Sequence, residues 1–296
     1  MIGIIGNGFV GNAVYQNLRD KVTCKVFDVD KNKSFNTLDE VLKQAFIFVC
    51  LPTPMKSTGE CNLSILDTFF ADLPKHVDGI FIIKSTVPIG TTKRYSKKYK
   101  VIHNPEFLTA RNAVEDFRNS ERNVVGGDKN LCQQFANFFK TIFPEIPSVI
   151  TSSDESEAIK YFANSFLACK VAYFNKMYDL CEAVGMNYET VCSGVTSDSR
   201  IGNSHTQVPG FDNDRGFGGT CFPKDLNSLI VQMETHGVDA DMLKSVWSYN
   251  QQIRTVIDWS VTYDETSKLA APFQKGAEAE TQTAGTPTGK GTTQSL

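Results

Sequence analysis

The chain has 296 residues, enough for one large or two ordinary domains. Its 41% hydrophobic and 21% charged residues exclude wholesale disorder, and a net charge of −3 with mixed signs excludes a basic nucleic-acid-binding domain. No apolar run reaches the roughly 18 residues of a membrane helix, so a soluble protein with neither membrane nor nucleic-acid partner is expected.

In chain order, the opening Met1-Ile2-Gly3-Ile4-Ile5-Gly6 reads as a strand from the first residue, not as a targeting segment. Further strands are expected at 23–28, 46–50, 79–84, 101–103, 123–126 and 148–151. Most are continuously apolar and β-branched, as strands covered on both faces are. Helical patterns fall between several of them, for example at 11–19, 38–43 and 131–141, which predicts an α/β domain with a doubly wound parallel sheet over 1–152.

After Ile150 the pattern changes. Residues 151–157 supply caps and first-turn acids, and apolar residues then recur at helical spacing to about Val184, where Gly185 would stop the helix. A helix of that length suits a span between domains or a partner chain. Helices at 188–194, 223–236 and 241–259, with a glycine-rich loop at 200–219, complete a helical domain over 153–259. Residues 260–296 are expected to be a linker and disordered tail, because from Lys275 no aromatic or β-branched aliphatic residue remains.

Eight cysteines lie far apart without a CxxC pair, and His76, His103, His205 and His236 form no constellation. No metal site and no structural disulfide is expected, which points to a reducing, cytoplasmic location.

Gly6-Asn7-Gly8-Phe9-Val10-Gly11 fits G-x-G-x-x-G between a strand and a helix. The glycines permit a tight turn, close approach of a pyrophosphate, and packing of helix on strand. Asp28, about twenty residues on, can accept from ribose hydroxyls and repel a 2′-phosphate, which favours NAD over NADP. The segment 84–92 after the fourth strand, containing Thr86, lies at the carboxyl edge where such sheets bind ligands, but could be only a Pro-Gly turn. Glu106, in Asn104-Pro105-Glu106-Phe107-Leu108, could act on a water or be a solvated loop acid. Lys160 and Asn164 share a helix face, where the lysine either snorkels outward or, if buried, stabilises an alkoxide.

Gly216-Phe217-Gly218-Gly219-Thr220-Cys221-Phe222-Pro223-Lys224-Asp225 carries the most chemistry. Pro223 suits the first turn of a helix, which sets Cys221 at its start, where the dipole and Lys224 would favour a thiolate. The same stretch also reads as a glycine-rich turn with a buried cysteine.

With these blocks in this order, residues 1–259 resemble the UDP-glucose 6-dehydrogenase family of nucleotide-sugar dehydrogenases. The Pro52-Thr53-Pro54 turn and Arg200-Ile201-Gly202 also match. Thr109-Ala110 departs from the basic-acidic pair common after the Glu-Phe-Leu motif, and the match is expected to end near Trp259, before the family's third, C-terminal domain, as either a short form or a truncated chain. The resemblance implies a four-electron oxidation of UDP-glucose with NAD through a thiohemiacetal and thioester on Cys221. Glu106 would act on the hydrolytic water, Lys160 on the oxyanions, and Asn164, Asp225 and Thr86 on the reacting oxygens. Cofactor contacts would come from Gly6, Gly8, Phe9, Val10, Gly11, Asp28, Lys33, Thr53, Thr86 and Lys224. Substrate contacts would come from Glu106, Phe107, Leu108, Lys160, Asn164 and Gly218, and from Arg200 reaching a neighbouring subunit, which implies a homodimer. His205, in the glycine-rich loop, is a further substrate candidate. GDP-mannose and UDP-N-acetylmannosamine dehydrogenases share the chemistry. A single-step β-hydroxyacid-type dehydrogenase would also use Lys160 and Asn164 but would not need Cys221. An inactive nucleotide-binding remnant would bind NAD without turnover.

Overall fold

Short apolar runs become the central strands of an α/β sheet, and the computed structural model describes them within residues 1–259. The expected linker and tail, 260–296, lie outside the described residues. The strands are β1 (Ile2–Ile5), β2 (Cys24–Phe27), β3 (Phe46–Val49), β4 (Ile80–Ile83), β5 (Val101–His103), β6 (Asn123–Gly127) and β7 (Ser148–Thr151). Between them lie α1 (Phe9–Leu18), α2 (Leu38–Leu42), α3 (Ser64–Asp72), α4 (Thr91–Ser96), α5 (Ala113–Arg118) and α6 (Lys129–Ile142). The second half holds α7 (Ser153–Val184), α8 (Tyr188–Thr196), α9 (Phe222–Thr235) and α10 (Asp241–Ile253).

The strands pair in the order β2-β1-β3-β4-β5-β6-β7. Alternation of side chains divides the core in two. Ile2, Ile4, Phe48 and Ile82 meet Val14 of α1 and Phe135 of α6 on one face. Ile5, Val49, Phe81 and Ile83 meet Phe69 and Phe70 of α3 on the other.

Two features differ from expectation. First, the sheet is not wholly parallel: β6 runs antiparallel to β5, and β7 follows β6. A parallel return needs a crossover of a dozen residues or more, usually a helix. Here α5 has six residues and packs beside α1, with Asn17 Nδ2 donating to the Val114 carbonyl at 2.9 Å. Secondly, α10 stops at Ile253 instead of reaching Trp259. Arg254 leaves the helix with ψ 133°, and its buried guanidinium joins Asp212 and Asp258 at 2.6 and 3.3 Å.

The long helix forms as its caps dictate. Ser152 and Glu155 make a capping box, and Gly185 closes the other end with φ 73°, giving α7 32 residues. Its first turns lie directly on β6. A Cβ on Gly126 would stand 2.2 Å from that of Ser156, so only glycine permits this approach. Further along, Tyr161 and Ala168 pack with Leu226 and Leu229 of α9 and Leu243 of α10 in a separate core.

Candidate active site

Strand order reverses between β1 and β3, and open α/β sheets bind ligands in the crevice beyond that point. The 6–11 turn fills one side of it. Gly6 takes φ 84°, and a Cβ on Gly11 would stand 1.9 Å from the Gly6 carbonyl, so the turn and helix close on each other. A Cβ on Gly8 would meet nothing within 4 Å. Gly8 is the N-cap of α1 and supplies no side-chain acceptor, so the helix start presents its donors to the crevice. At the end of β2, Asp28 accepts from the backbone N–H groups of Asn7 at 2.5 Å and Asp30 at 2.8 Å. Asn7 Oδ1 is buried without a partner. Open space at a helix start, with a carboxylate held beside it, fits a dinucleotide with free ribose hydroxyls.

This crevice is one end of a cavity of about 470 Å³. Gly6, Gly8, Phe9, Val10, Asp28, Lys33, Thr53 and Thr86 line it, while Gly11 lies behind as a packing residue. Thr53 Oγ1 donates to the Thr86 carbonyl at 2.8 Å, which ties the 52–54 turn to the segment after β4. Asp28→Ala is expected to weaken NAD binding about tenfold and to narrow the preference over NADP, as removal of hydrogen bonds to a charged group implies. Titration of both dinucleotides checks this. Unchanged selectivity would exclude Asp28 from ribose recognition.

Glu106, Cys221 and Lys224 line the other end of the cavity. Glu106 and Lys160 are both buried, and Lys160 Nζ stands 3.2 Å from Glu106 Oε1. Glu106 Oε2 accepts from Leu108 N at 2.6 Å, which orients the carboxylate. Behind Cys221, Asp225 is fully buried and accepts from Asn164 Nδ2 at 2.6 Å and from Lys224 Nζ. Residues from β5's end, α7 and α9 thus converge on one thiol. Lys160 does not snorkel outward.

The expected thiolate is corrected. Cys221 does sit at the N-cap of α9, before Pro223. Its thiol is nevertheless pushed above the ordinary value, first by burial and then by Asp225 and Glu106, which outweigh Lys160 and Lys224. Burial also opposes the charge on Lys224, but Asp225 overcomes it and the net shift is upward. The lysine is committed to Asp225.

Several expected contact residues lie apart from the cavity lining. Phe107 packs beneath Lys160, its ring centre 5.2 Å from Nζ. The Leu108 side chain joins the sheet core. Gly218 abuts Arg254, whose guanidinium would lie 2.0 Å from an added Cβ. His205 lies against the Phe222 ring at 5.6 Å, and its Nδ1 is buried without a partner. Burial and then Lys170 hold its pKa down. Arg200 is exposed and clasps Asp198. Among the further lining residues, Lys84, within the 84–92 segment, and Trp259 had no role expected from the sequence. Lys84 follows four apolar residues and is buried, with Asn104 Oδ1 at 2.9 Å. Burial pushes its pKa down to about 8 against the pull of Cys50 and Glu106. A lysine ending an apolar strand was the available signal. Trp259 reaches the cavity from a segment far away in the chain, and nothing local marked it.

Among the described residues, no group of three or more His, Cys, Asp or Glu is placed to hold a metal ion. No helix among them is long and apolar enough to cross a membrane.

A dinucleotide crevice opening onto a lysine, two carboxylates and a thiol defines a class: a dehydrogenase with a Rossmann-like domain and a helical partner domain. Comparison with known proteins narrows it. The NAD binding domain model of the UDP-glucose/GDP-mannose dehydrogenase family matches residues 34–146, and the central domain model of the same family matches 154–252. The UDP-glucose 6-dehydrogenase of Rickettsia felis is 33% identical, over 94% of this chain and 72% of that protein. One from Bacillus subtilis is 30% identical, over 86% and 64%. In structure, a UDP-glucose dehydrogenase from Pyrobaculum islandicum superposes with a TM-score of 0.70 at 24% identity, covering 85% of this chain and 68% of that one. A 3-hydroxyisobutyrate dehydrogenase from Mycobacterium tuberculosis gives 0.67 at 16% identity, covering 92% and 97%, which shows a shared fold alone. The chain belongs to the UDP-glucose/GDP-mannose dehydrogenase family. It is an NAD-dependent oxidoreductase.

Proposed function

We propose that the chain oxidises UDP-glucose to UDP-glucuronate in the cytoplasm, through a thioester on Cys221. Residues 1–152 would hold the cofactor and 153–259 the nucleophile and a dimer face. The observation that carries this reading is Cys221 in the wall of the cofactor cavity, beside the Lys160–Glu106 pair and the Asn164–Asp225 hydrogen bond. The relatives named above, which are UDP-glucose 6-dehydrogenases, favour that sugar.

NAD, when bound, accepts two electrons in each of two successive oxidations. In the first, the sugar hydroxyl loses its proton as the carbinol becomes an aldehyde. The Cys221 sulfur then adds to the aldehyde carbon and the thiol proton goes to its oxygen, giving a thiohemiacetal. This bond retains an aldehyde that would otherwise escape during cofactor exchange. The second oxidation removes the remaining C–H hydrogen and the hydroxyl proton, leaving a thioester. Glu106 takes a proton from water as it adds to the thioester carbon. The C–S bond then breaks, the thiol is restored, and the carboxylate leaves. Lys160 stabilises each oxyanion, while Asn164, Asp225 and Thr86 orient the reacting oxygens.

A homodimer through α7 is part of the same proposal. Phe162, Phe166, Tyr173, Leu180 and Val184 recur on one helix face and are all more than half exposed. Arg200, beyond that face, would serve the neighbouring subunit. Phe166→Asp is expected to convert a dimer to a monomer in light scattering at micromolar concentration. An unchanged mass would place the interface elsewhere.

The deciding experiment is product stoichiometry with UDP-glucose, GDP-mannose and UDP-N-acetylmannosamine. Two NADH per UDP-glucose would support the proposal. One NADH per substrate would favour a single-step dehydrogenase. NAD binding without turnover on any nucleotide sugar would overturn the catalytic reading.

A further inference from the structure

Glu157 lies outside the cavity and has no part in the chemistry above. It is fully buried on α7, one turn before Lys160. Its Oε2 accepts from the Gly90 N–H at 2.6 Å, and its Oε1 from the Thr92 N–H at 2.7 Å. Gly90, at φ 94°, is the N-cap of α4 and offers no side-chain acceptor of its own. The capping function therefore comes from a different part of the molecule. The two tied segments matter: 84–92 carries Thr86, and α7 carries Lys160 and Asn164.

A buried carboxylate is a costly way to join two elements, because apolar packing would do so without desolvating a charge. Here burial raises the Glu157 pKa to about 7, with Asp154 on the same helix adding to it, while the bonds from Thr92 and Gly90 pull the other way. No cation among the described residues lies within ion-pair distance of it. What a carboxylate provides, and an apolar side chain does not, is register: two acceptors that fit two backbone donors in one relative placement. The adjacent residue adds a second tie, Ser156 Oγ to His103 Nδ1 at 2.9 Å, at the end of the strand that leads to Glu106.

We propose that Glu157 is a positioning residue, whose grip on the Gly90 and Thr92 N–H groups sets the register of α7 and so holds Lys160 against Glu106 and beside Cys221. The inference rests on the roles proposed above for Lys160 and Cys221, and extends them to a residue that touches neither substrate nor cofactor.

The test reads geometry without requiring turnover. Lys160 lowers the Cys221 pKa, so a displaced Lys160 makes the thiol harder to ionise. Cys221 alkylation by iodoacetamide, followed across pH by peptide mass spectrometry, measures this. Glu157→Ala is expected to slow alkylation at neutral pH about threefold or more. Glu157→Gln, which keeps one oxygen acceptor and the side-chain shape, is expected to fall between Ala and wild type. In a Lys160→Met background neither change should have an effect. In turnover, Glu157→Ala should lower kcat about 10–100-fold, as misplacement near an ångström does, with KM and the NAD Kd nearly constant. Unchanged alkylation in both variants would overturn the proposal, as would an equal effect without Lys160 or a kcat loss matched by lost NAD binding. A wild-type chain that turns over no nucleotide sugar would overturn the proposed activity instead, and alkylation would still decide the role of Glu157. If the alanine variant does not fold, the glutamine variant carries the comparison.

Discussion

Cys221→Ser is expected to stop steady NADH formation from UDP-glucose, lowering kcat about 10³-fold or more, as loss of a covalent nucleophile does elsewhere. NAD binding should persist, because the crevice formed by residues 6–11 and Asp28 does not use the thiol. The first oxidation needs no nucleophile, so up to one NADH per site should still form in a rapid-mixing experiment, with an aldehyde that semicarbazide traps. Serine adds to an aldehyde far less readily and would leave a slowly hydrolysed ester. The environment of the thiol adds a pH signature. Burial and then two carboxylates raise its pKa, so ionisation should continue beyond the range where an ordinary exposed thiol is fully ionised. Wild-type alkylation should therefore keep rising into alkaline pH. Turnover unaffected by the substitution would refute the thioester pathway.

Lys160→Met is expected to be nearly as severe, and in two separable ways. Loss of the ammonium beside the reacting oxygens should lower kcat about 10²–10³-fold. Stability should fall as well, because Glu106 is 7% exposed and would be left buried without its partner. Breaking one side of a buried pair costs about 3–5 kcal/mol. Adding Glu106→Gln should recover much of that stability without restoring activity, since no uncompensated carboxylate then remains. Denaturant unfolding and initial rates on the four chains of this cycle separate the two effects. If the double variant is no more stable than Lys160→Met alone, the 3.2 Å pair is not the coupled unit described here.

What could be read before the fold was known was local. Apolar, β-branched runs place the strands within a residue or two, because a strand covered on both faces has nowhere to put a polar side chain. The glycines at 6 and 11 are legible because their roles depend on neighbours only a few residues away. The ends of α7 follow from a capping box and a left-handed glycine, each complete within four or five residues. The class of cofactor follows from the same kind of signal.

Only the tertiary structure decided the rest, because desolvation and pairing depend on residues remote in sequence. Lys160 as a surface lysine and Lys160 as a buried partner of Glu106 have the same local sequence, and α7's seat on β6 chooses between them. Cys221 looks activated from its helix start and its neighbouring lysine. Lys224 is instead bound to Asp225, and burial with the Asp225 and Glu106 carboxylates pushes the thiol pKa upward. The reversal of β6 likewise depends on α5 docking beside α1, and the end of α10 on three acids drawn around Arg254. The sequence by itself therefore determined the strands, the ends of α7, the cofactor turn and the family. Which side chains meet, and which way burial moves the Cys221 and Lys84 pKa values, was set by contacts that exist only once the chain has folded.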